Sequence, residues 1–281
     1  MLWITGAKGL LGSSLSTKCK AALHVKTGRE VDISDIGSVR SFVKKNPGIT
    51  HIVNCAAFSH VDAAEQYREE AYKTNAIGPE NLAHVAGEIG AKLIHISTDY
   101  VFPGNLKRPL TEQDVVEPCN YYGKTKLVGE ERVLAHSGCV IRTSSIFGKA
   151  GRNFVSQLLQ MLQTQKEIRL TDDQWGRYTY APDLSEAILQ MLPHTGLYQY
   201  ANAGIATKYE FGLALREEAI LLGFPVITEA IHPVPGATFS APCKRPAYSA
   251  FDTAKIEPFV AIRHWKEALR DFLCAQLPVY S

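Results

Sequence analysis

The sequence predicts a doubly wound α/β fold, in which helices cover both faces of a parallel sheet, followed by a smaller C-terminal domain. Short apolar runs alternate with amphipathic stretches through about the first 145 residues. The runs are apolar on both faces, which is typical of parallel strands buried on both sides. A glycine-rich turn follows the first run and opens a helix, as expected where such a sheet binds an anionic ligand.

The first domain alternates strands and helices in regular order. The predicted strands cover residues 2–5, 23–27, 51–57, 93–97 and 140–144, and the predicted helices between them cover residues 10–19, 36–45, 71–88 and 121–136. The strands are short apolar runs, and the helices are the periodic segments that fill the gaps. Because strand, helix and strand follow one another without interruption, the sheet is predicted to be parallel.

Beyond Gly148 the alternation loosens. We expect helices at residues 154–163, 184–192, 209–222 and 261–276, and a strand at residues 168–171. Four prolines between residues 233 and 246 exclude a regular helix or a central strand, so this stretch is predicted to be a linker or a loop laid over a site. The 281 residues have room for two domains, at residues 1–148, to which residues 180–195 return, and at residues 149–281.

The composition is that of an ordered protein, with 46% hydrophobic and 21% charged residues. The formal net charge of +2, without a basic run, predicts neither nucleic acid nor a membrane surface as a partner. No stretch approaches the roughly 20 apolar residues of a membrane span, and no leader pattern opens the chain, so we expect a cytoplasmic protein. The six cysteines are far apart and form no C-x-x-C pair, which argues against a disulfide framework and a metal site.

Gly6, Gly9 and Gly12 form a G-x-x-G-x-x-G turn between the first strand and the first helix. In this position the glycines permit a tight turn, a close approach to a pyrophosphate and close packing of helix on strand, so the turn predicts a nicotinamide dinucleotide site. An acidic residue at the end of the second strand would select NADH, whereas Lys26 and Arg29 stand there and could meet a 2′-phosphate. We therefore favour NADPH. NADH stays open, because basic residues in an exposed turn are also ordinary solvated charges.

Tyr122 and Lys126 stand one turn apart on the same face of a predicted helix. A neighbouring ammonium favours the phenolate and lowers the pKa of a tyrosine, so the pair can exchange a proton with a substrate alkoxide. Thr98 ends a strand at the edge of the sheet where open α/β folds bind ligands. The three residues together predict an oxidoreductase.

Several longer motifs carry a resemblance that runs through nearly the whole chain. They are Gly6-x-x-Gly9-x-x-Gly12, Asn54-Cys-Ala-Ala57, Val61-Asp-Ala-Ala-Glu65, Ser97-Thr-Asp-Tyr-Val-Phe102, Tyr122-Gly-Lys-Thr-Lys126, Arg142-Thr-Ser144, Asp173-Gln-x-Gly176 and Lys244-Arg-Pro-x-Tyr-Ser249. The chain resembles the extended short-chain dehydrogenases and, more narrowly, the dTDP-4-dehydrorhamnose reductase family. The resemblance implies a Rossmann-type sheet, a C-terminal substrate-binding domain and NADPH-dependent reduction of the C4 ketone of a dTDP-4-keto-6-deoxy sugar. We expect no metal ligands among the site residues, and whether a metal is used stays open.

The resemblance also implies roles for individual residues. Tyr122 is the general acid that protonates the C4 oxygen, Lys126 sets the pKa of Tyr122 and holds the ribose, and Thr98 hydrogen-bonds the ketone. Besides Tyr122 and Lys126, the residues expected to line the cofactor are Gly6, Gly9, Leu10, Leu11, Gly12, Asp32, Ile33, Ala56 and Ala57. The residues expected toward the dTDP-sugar are Asp99, Tyr100 and Arg245. A homodimer is compatible with the resemblance, and Asn75 faces the site or has a structural role.

Two departures from the family fall on the substrate side. Ser145 stands where the reductases have a tryptophan against the sugar, and Tyr178 stands where they have a proline. Two other functions are alternatives to the reduction. A 4,6-dehydratase needs an Asp-Glu pair, but here Asp99 is followed by Tyr100, which lacks the carboxylate for proton abstraction. The chain also resembles the non-catalytic, NADP-binding regulatory subunit of methionine adenosyltransferase, although such a subunit has no need to keep Thr98, Tyr122 and Lys126 together.

Overall fold

The computed structural model describes residues 1–19, 24–240 and 242–277. The strands are β1 (Leu2–Thr5), β2 (His24–Lys26), β3 (His51–Asn54), β4 (Lys92–Thr98), β5 (Cys139–Thr143), β6 (Ile146–Phe147), β7 (Glu167–Thr171), β8 (Trp175–Gly176), β9 (Thr179–Tyr180), β10 (Gly196–Gln199), β11 (Ala206–Thr207) and β12 (Ala230–Val234). The helices are α1 (Leu10–Lys18), α2 (Ile36–Lys45), α3 (Arg68–Tyr72), α4 (Gly78–Glu88), α5 (Tyr121–Ala135), α6 (Phe154–Thr164), α7 (Ala181–Met191), α8 (Lys208–Leu221) and α9 (Trp265–Cys274).

The central sheet confirms the predicted fold class. Its six parallel strands follow the order β2-β1-β3-β4-β5-β10. Apolar side chains of α1 and α7 pack on one face, and those of α2, α4 and α5 pack on the other. The strand order reverses between β1 and β3, and a doubly wound sheet binds its ligand in the crevice beyond the carboxyl ends of the strands at such a point.

A second lobe has its own core. It consists of α6, α8, α9 and three short two-stranded pairs, β6 with β9, β7 with β12, and β8 with β11. Polar caps start two of its helices. Asn153 and Ser156 form a capping box at α6, and Thr207 and Glu210 form another at α8.

The structure corrects several predicted boundaries. The predicted helix over residues 71–88 starts earlier, at Arg68, and passes through a π-helical turn at Lys73–Ile77 before α4. The predicted strand over residues 51–57 ends at Asn54, after which the chain is irregular. The predicted helix over residues 261–276 starts only at Trp265, where the side chain of His264 accepts from the backbone of Lys266.

Six strands were not predicted, namely β6, β8, β9, β10, β11 and β12. The most consequential is β10, which completes the central sheet beside β5. The strand β12 includes Pro233, which is compatible with a strand because the pair that it forms with β7 is only two strands wide. Residue 23 of the predicted second strand and residue 241 of the proline-rich stretch lie outside the described residues. Within the described residues, no helix is long and apolar enough to cross a membrane.

Candidate active site

The glycine turn lies where β1 leads into α1. Gly6 has a φ of +60°, and a Cβ atom there would lie 2.6 Å from the backbone nitrogen of Ala56, so only glycine fits. Gly12 is buried against the carbonyl of Gly6, whereas Gly9 is exposed. Gly9 is the N-cap and offers no side-chain acceptor, and no acidic residue lies in the first turn of α1. The first amides of α1, at Leu10 and Leu11, are therefore available to an anion.

The loops after β2 and β3 border this turn. Ile33 is buried, and its carbonyl accepts from the side chain of Asn81 at 3.0 Å. Asp32 is exposed and bonds the backbone and hydroxyl of Ser34. Ala57 is also exposed, beside the half-buried Ala56. The predicted cofactor-binding residues after β1, β2 and β3 are thus brought to one edge of the sheet.

Sequence reasoning missed Glu30 in the turn after β2. Its carboxylate accepts the N–H of Gly28 at 2.7 Å and lies 3.8 Å from the ammonium of Lys8. Lys26 and Arg29 are exposed in the same turn. Glu30 and Asp32 both place carboxylates in this loop, and Lys26 and Arg29 are the exposed cations beside them that a 2′-phosphate could meet.

Two side chains fix the start of α5, the helix that carries Tyr122 and Lys126. Asn120 caps it by accepting the N–H of Gly123 at 2.8 Å, and Glu65 accepts the N–H of Tyr121 at 2.7 Å. A Cβ atom on Gly123 would overlap the carbonyl oxygen of Tyr100, so the helix packs directly on the segment after β4. Tyr122 and Lys126 are therefore held against the end of that strand.

Thr98 and Tyr122 meet at the carboxyl end of β4. The Thr98 hydroxyl donates to Asp99 Oδ1 at 3.1 Å and accepts the N–H of Tyr100 at 3.2 Å. The ring of Tyr122 packs edge-on against that of Tyr100, with 5.7 Å between centroids. Burial raises the pKa of Tyr122 to about 12, the charge of Asp99 adds to this, and a hydrogen bond with Thr98 opposes it. This direction is opposite to the lowering expected from Lys126, and it leaves Tyr122 a neutral phenol that can donate a proton.

Lys126 is buried beneath Tyr122. Its Nζ donates to the carbonyl of Ile96 at 2.6 Å and lies 3.1 Å from Nε2 of His95. Burial lowers the pKa of Lys126 to about 8, against which the charge of Glu130 acts. Sequence reasoning missed His95, although a histidine within an otherwise apolar strand was a visible signal.

Asn75 has a structural role at this site. It is buried in the π-helical turn, where its Oδ1 accepts the N–H of Phe58 at 2.9 Å and its Nδ2 donates to the carbonyl of Phe58 and to the hydroxyl of Thr125. Asn75 thereby ties the loop after β3 to α5. The oxygen and the nitrogen of its side-chain amide both form hydrogen bonds with other residues of the protein. The π-helical turn that holds it is of a kind that often occurs at functional sites.

Residues 243–249, which overlap the end of the proline-rich stretch, lie over the candidate site. Arg245 forms an ion pair with Asp62 at 2.8 Å, and its charge acts on the half-buried Tyr100. The carbonyl of Lys244 accepts from the side chain of Asn120 at 2.9 Å. The prediction that this stretch is a loop laid over a site therefore agrees with the contacts of residues 243–249.

Asp99 and Ser249 connect this loop to the end of β4. Asp99 is buried, and burial raises its pKa to about 6, although hydrogen bonds from Ser249 and Thr98 oppose the rise. Ser249 belongs to the Lys244-Arg-Pro-x-Tyr-Ser249 motif, but no role for it was predicted. Its contact depends on the packing of the second lobe, which the motif alone does not reveal.

The two departures from the family have different surroundings. Ser145 is exposed and has a φ of +42°, a left-handed conformation that disfavours bulky side chains. Tyr178, expected on the substrate side, is instead buried in the core of the second lobe, stacked at 4.0 Å on Phe211. Only Ser145 therefore changes the surface that a substrate could meet.

Comparison with known proteins shows the family to which this chain belongs. The model of the RmlD substrate binding domain matches residues 1–277. The spore coat polysaccharide biosynthesis protein SpsK of Bacillus subtilis is 40% identical over 96% of this chain and 95% of that protein. The dTDP-4-keto-6-deoxy-D-glucose reductase of Streptomyces niveus is 34% identical over 95% and 94%. Among solved structures, a dTDP-4-dehydrorhamnose reductase from Bacillus anthracis in complex with NADP has a TM-score of 0.90 at 32% identity, covering 98% of this chain and 99% of that one. These matches bear out the resemblance seen in the motifs, and the chain belongs to the RmlD substrate binding domain family.

Proposed function

We propose that this protein is an NADPH-dependent oxidoreductase that reduces the C4 ketone of a dTDP-4-keto-6-deoxy sugar. The observation that carries the proposal is the grouping of Thr98, Tyr122 and Lys126 at the carboxyl end of β4, beside the glycine turn. Relatives named dTDP-4-keto-6-deoxy-D-glucose reductase and dTDP-4-dehydrorhamnose reductase support the same substrate class.

The residues fit a nicotinamide dinucleotide. The open amides of α1 suit a pyrophosphate, and the small side chains of Ala56 and Ala57 leave room near the backbone. Lys26 and Arg29 suit a 2′-phosphate, and a solved relative contains NADP. When bound, NADPH supplies the hydride for the reduction.

The side chains of this chain supply the proton and the orientation. Tyr122, kept neutral by its burial, donates its phenolic proton to the C4 oxygen as negative charge develops there. Thr98 orients that oxygen, and Lys126 holds the ribose and stabilises the phenolate that remains. Asp99, Tyr100 and Arg245 surround the sugar.

The alternatives receive less support. Asp99 is followed by Tyr100, so the second carboxylate of a dehydratase is missing at this position. A non-catalytic regulatory subunit is not favoured, because relatives at 32–34% identity are named reductases. We further propose that residues 1–148, with α7 and β10, hold the cofactor and that the second lobe holds the sugar. A homodimer and a cytoplasmic location stay predictions, which light scattering and fractionation test.

The test is a substrate screen. The purified protein is mixed with NADPH and a dTDP-4-keto-6-deoxy sugar, and the loss of nicotinamide absorbance is followed. A UDP-4-keto sugar serves as the matched control for the nucleotide, and NADH serves as the control for the cofactor. We expect the fastest turnover with the dTDP sugar and NADPH. Tight binding of NADPH without turnover on any 4-keto sugar nucleotide would contradict the proposal and favour the regulatory alternative.

A further inference from the structure

A chain of buried hydrogen bonds runs behind the site, from β1 to Lys126. The hydroxyl of Thr5 donates to Asn54 Oδ1 at 2.7 Å, and Asn54 Nδ2 lies 3.0 Å from Nδ1 of His95. Nε2 of His95 lies 3.1 Å from Nζ of Lys126, which also donates to the carbonyl of Ile96. These side chains are all buried, so water cannot replace a missing partner.

The contact between Asn54 and the backbone of Ala56 determines which group donates and which accepts in each of these hydrogen bonds. The backbone N–H of Ala56 donates to Asn54 Oδ1 at 3.1 Å, and a backbone N–H can only donate. This contact identifies the amide oxygen of Asn54, so its NH₂ group faces His95 and donates to Nδ1. Burial holds the pKa of His95 well below its usual range, so the ring is neutral and carries one proton. That proton must be on Nε2.

This ring tautomer of His95 constrains the protonation state of Lys126. An Nε2–H group that points at Nζ makes a hydrogen bond only if Nζ has a lone pair, and an ammonium has none. We propose that His95 is a positioning residue whose Nε2–H group favours the neutral amine of Lys126 in the ligand-free protein, so that protonation of Lys126 is coupled to the ring tautomer of His95. The importance of this coupling for catalysis rests on the proposed function, whereas the coupling itself does not.

The other groups that face Lys126 do not remove this constraint. Glu130, on the same helix, favours the ammonium, but its carboxylate forms a buried ion pair with Arg142 at 2.8 Å. Cys55, after β3, is a thiol whose pKa burial raises to about 12, so it provides no negative charge near neutral pH. Protonation of Lys126 therefore requires the proton of His95 to move from Nε2 to Nδ1, with loss of the contact to Asn54.

The first test uses the wild-type protein without ligand. Long-range ¹H–¹⁵N correlations of the labelled protein distinguish the two ring tautomers, and the signal of His95 is assigned by its loss in His95→Asn. The spectrum is recorded well above the pKa of Lys126, which burial lowers to about 8. We expect the Nε2–H tautomer. A ring protonated on Nδ1 under these conditions would overturn the proposal, because Lys126 would then be the donor.

The second test measures the titration of Lys126 through its ¹³Cε shift. In His95→Gln the amide can turn its oxygen toward Nζ and accept from an ammonium, so the midpoint should rise by about one pH unit, the equivalent of one buried hydrogen bond. His84→Gln, at an exposed histidine on α4, is the matched control and should leave the midpoint unchanged. An unchanged midpoint in folded His95→Gln would contradict the proposal. If that variant does not fold, the tautomer of the wild-type ring decides, and neither readout depends on turnover.

Discussion

Replacing Arg142 by methionine should destabilise the protein far more than an ordinary ion-pair variant. Arg142 lies near the end of β5, and its guanidinium makes hydrogen bonds of 2.8 to 3.1 Å with both carboxylate oxygens of Glu130 on α5. The side chains are 3% and 1% exposed, so Glu130 would be left as a buried charge without its partner. Methionine keeps the apolar contact with Phe102, over whose ring the guanidinium lies at 5.0 Å.

The expected loss of stability follows from the burial of the Arg142–Glu130 ion pair. Removing one partner of a buried ion pair costs about 3–5 kcal/mol. An unfolding entropy of about 2.1 cal/mol/K per residue gives about 0.6 kcal/mol/K for 281 residues, so Tm should fall by about 5–8 °C. Arg132→Met, on the same helix, is the control. Its ion pair with Glu80 is 25% and 40% exposed, and such pairs contribute at most about 1 kcal/mol.

Thermal unfolding followed by circular dichroism measures both variants. We expect the Arg142→Met midpoint to fall by at least twice as much as that of Arg132→Met. The double variant Glu130→Leu with Arg142→Met should recover most of the loss, because well-packed apolar residues can replace a buried ion pair. Equal midpoints for the two single variants would refute the reasoning that this pair anchors the catalytic helix.

Three further predictions concern the site. Tyr122→Phe should lower kcat by about 100-fold or more and leave the Kd of NADPH unchanged, because only the proton donor is lost. An unchanged kcat in steady-state assays would contradict the assignment of Tyr122 as the proton donor. The double variant Lys26→Ala with Arg29→Ala should weaken NADPH binding by about tenfold and spare NADH, measured by fluorescence titration; equal losses for both cofactors would make these residues bystanders. Burial raises the pKa of Asp99 to about 6 in the folded state, above its unfolded value of about 3.9, so the folded state binds more protons. Stability should therefore fall by about 2 kcal/mol as pH rises from 4 to 7. Asp99→Asn should flatten this dependence in urea unfolding, and a slope equal to that of the wild type would assign the dependence to other groups.

The features that the sequence predicts well depend on residues close together in the chain. The glycine turn, the Tyr122 to Lys126 spacing and the alternation of strands and helices are local patterns, and the structure has each of them. Where the prediction is wrong or silent, distant residues decide. Tyr178 is a core residue because Phe211, from another element, stacks on it, and Ser249 reaches Asp99 only through the packing of the second lobe.

The strand β10 is a similar case. It is a short segment of four residues at Gly196–Gln199, and it becomes a strand because β5 offers it an open sheet edge. His95 shows a different limit. The sequence presents a histidine in an apolar strand, but its neighbours Asn54 and Lys126 come from other elements, so only the folded chain reveals which ring nitrogen carries the proton.

Transfer of deuterium from NADPH to the sugar tests the proposed reduction most directly. The protein is incubated with NADPH deuterated at the transferable C4 position of the nicotinamide and with a dTDP-4-keto-6-deoxy sugar, and the product is analysed by NMR and mass spectrometry. We expect one deuterium on C4 of the sugar, where the ketone has become an alcohol, and an about 100-fold slower formation of this labelled product when Tyr122→Phe replaces the wild type. A sugar without deuterium, recovered while NADPH stays bound and unconsumed, would contradict the assignment of this protein as a reductase.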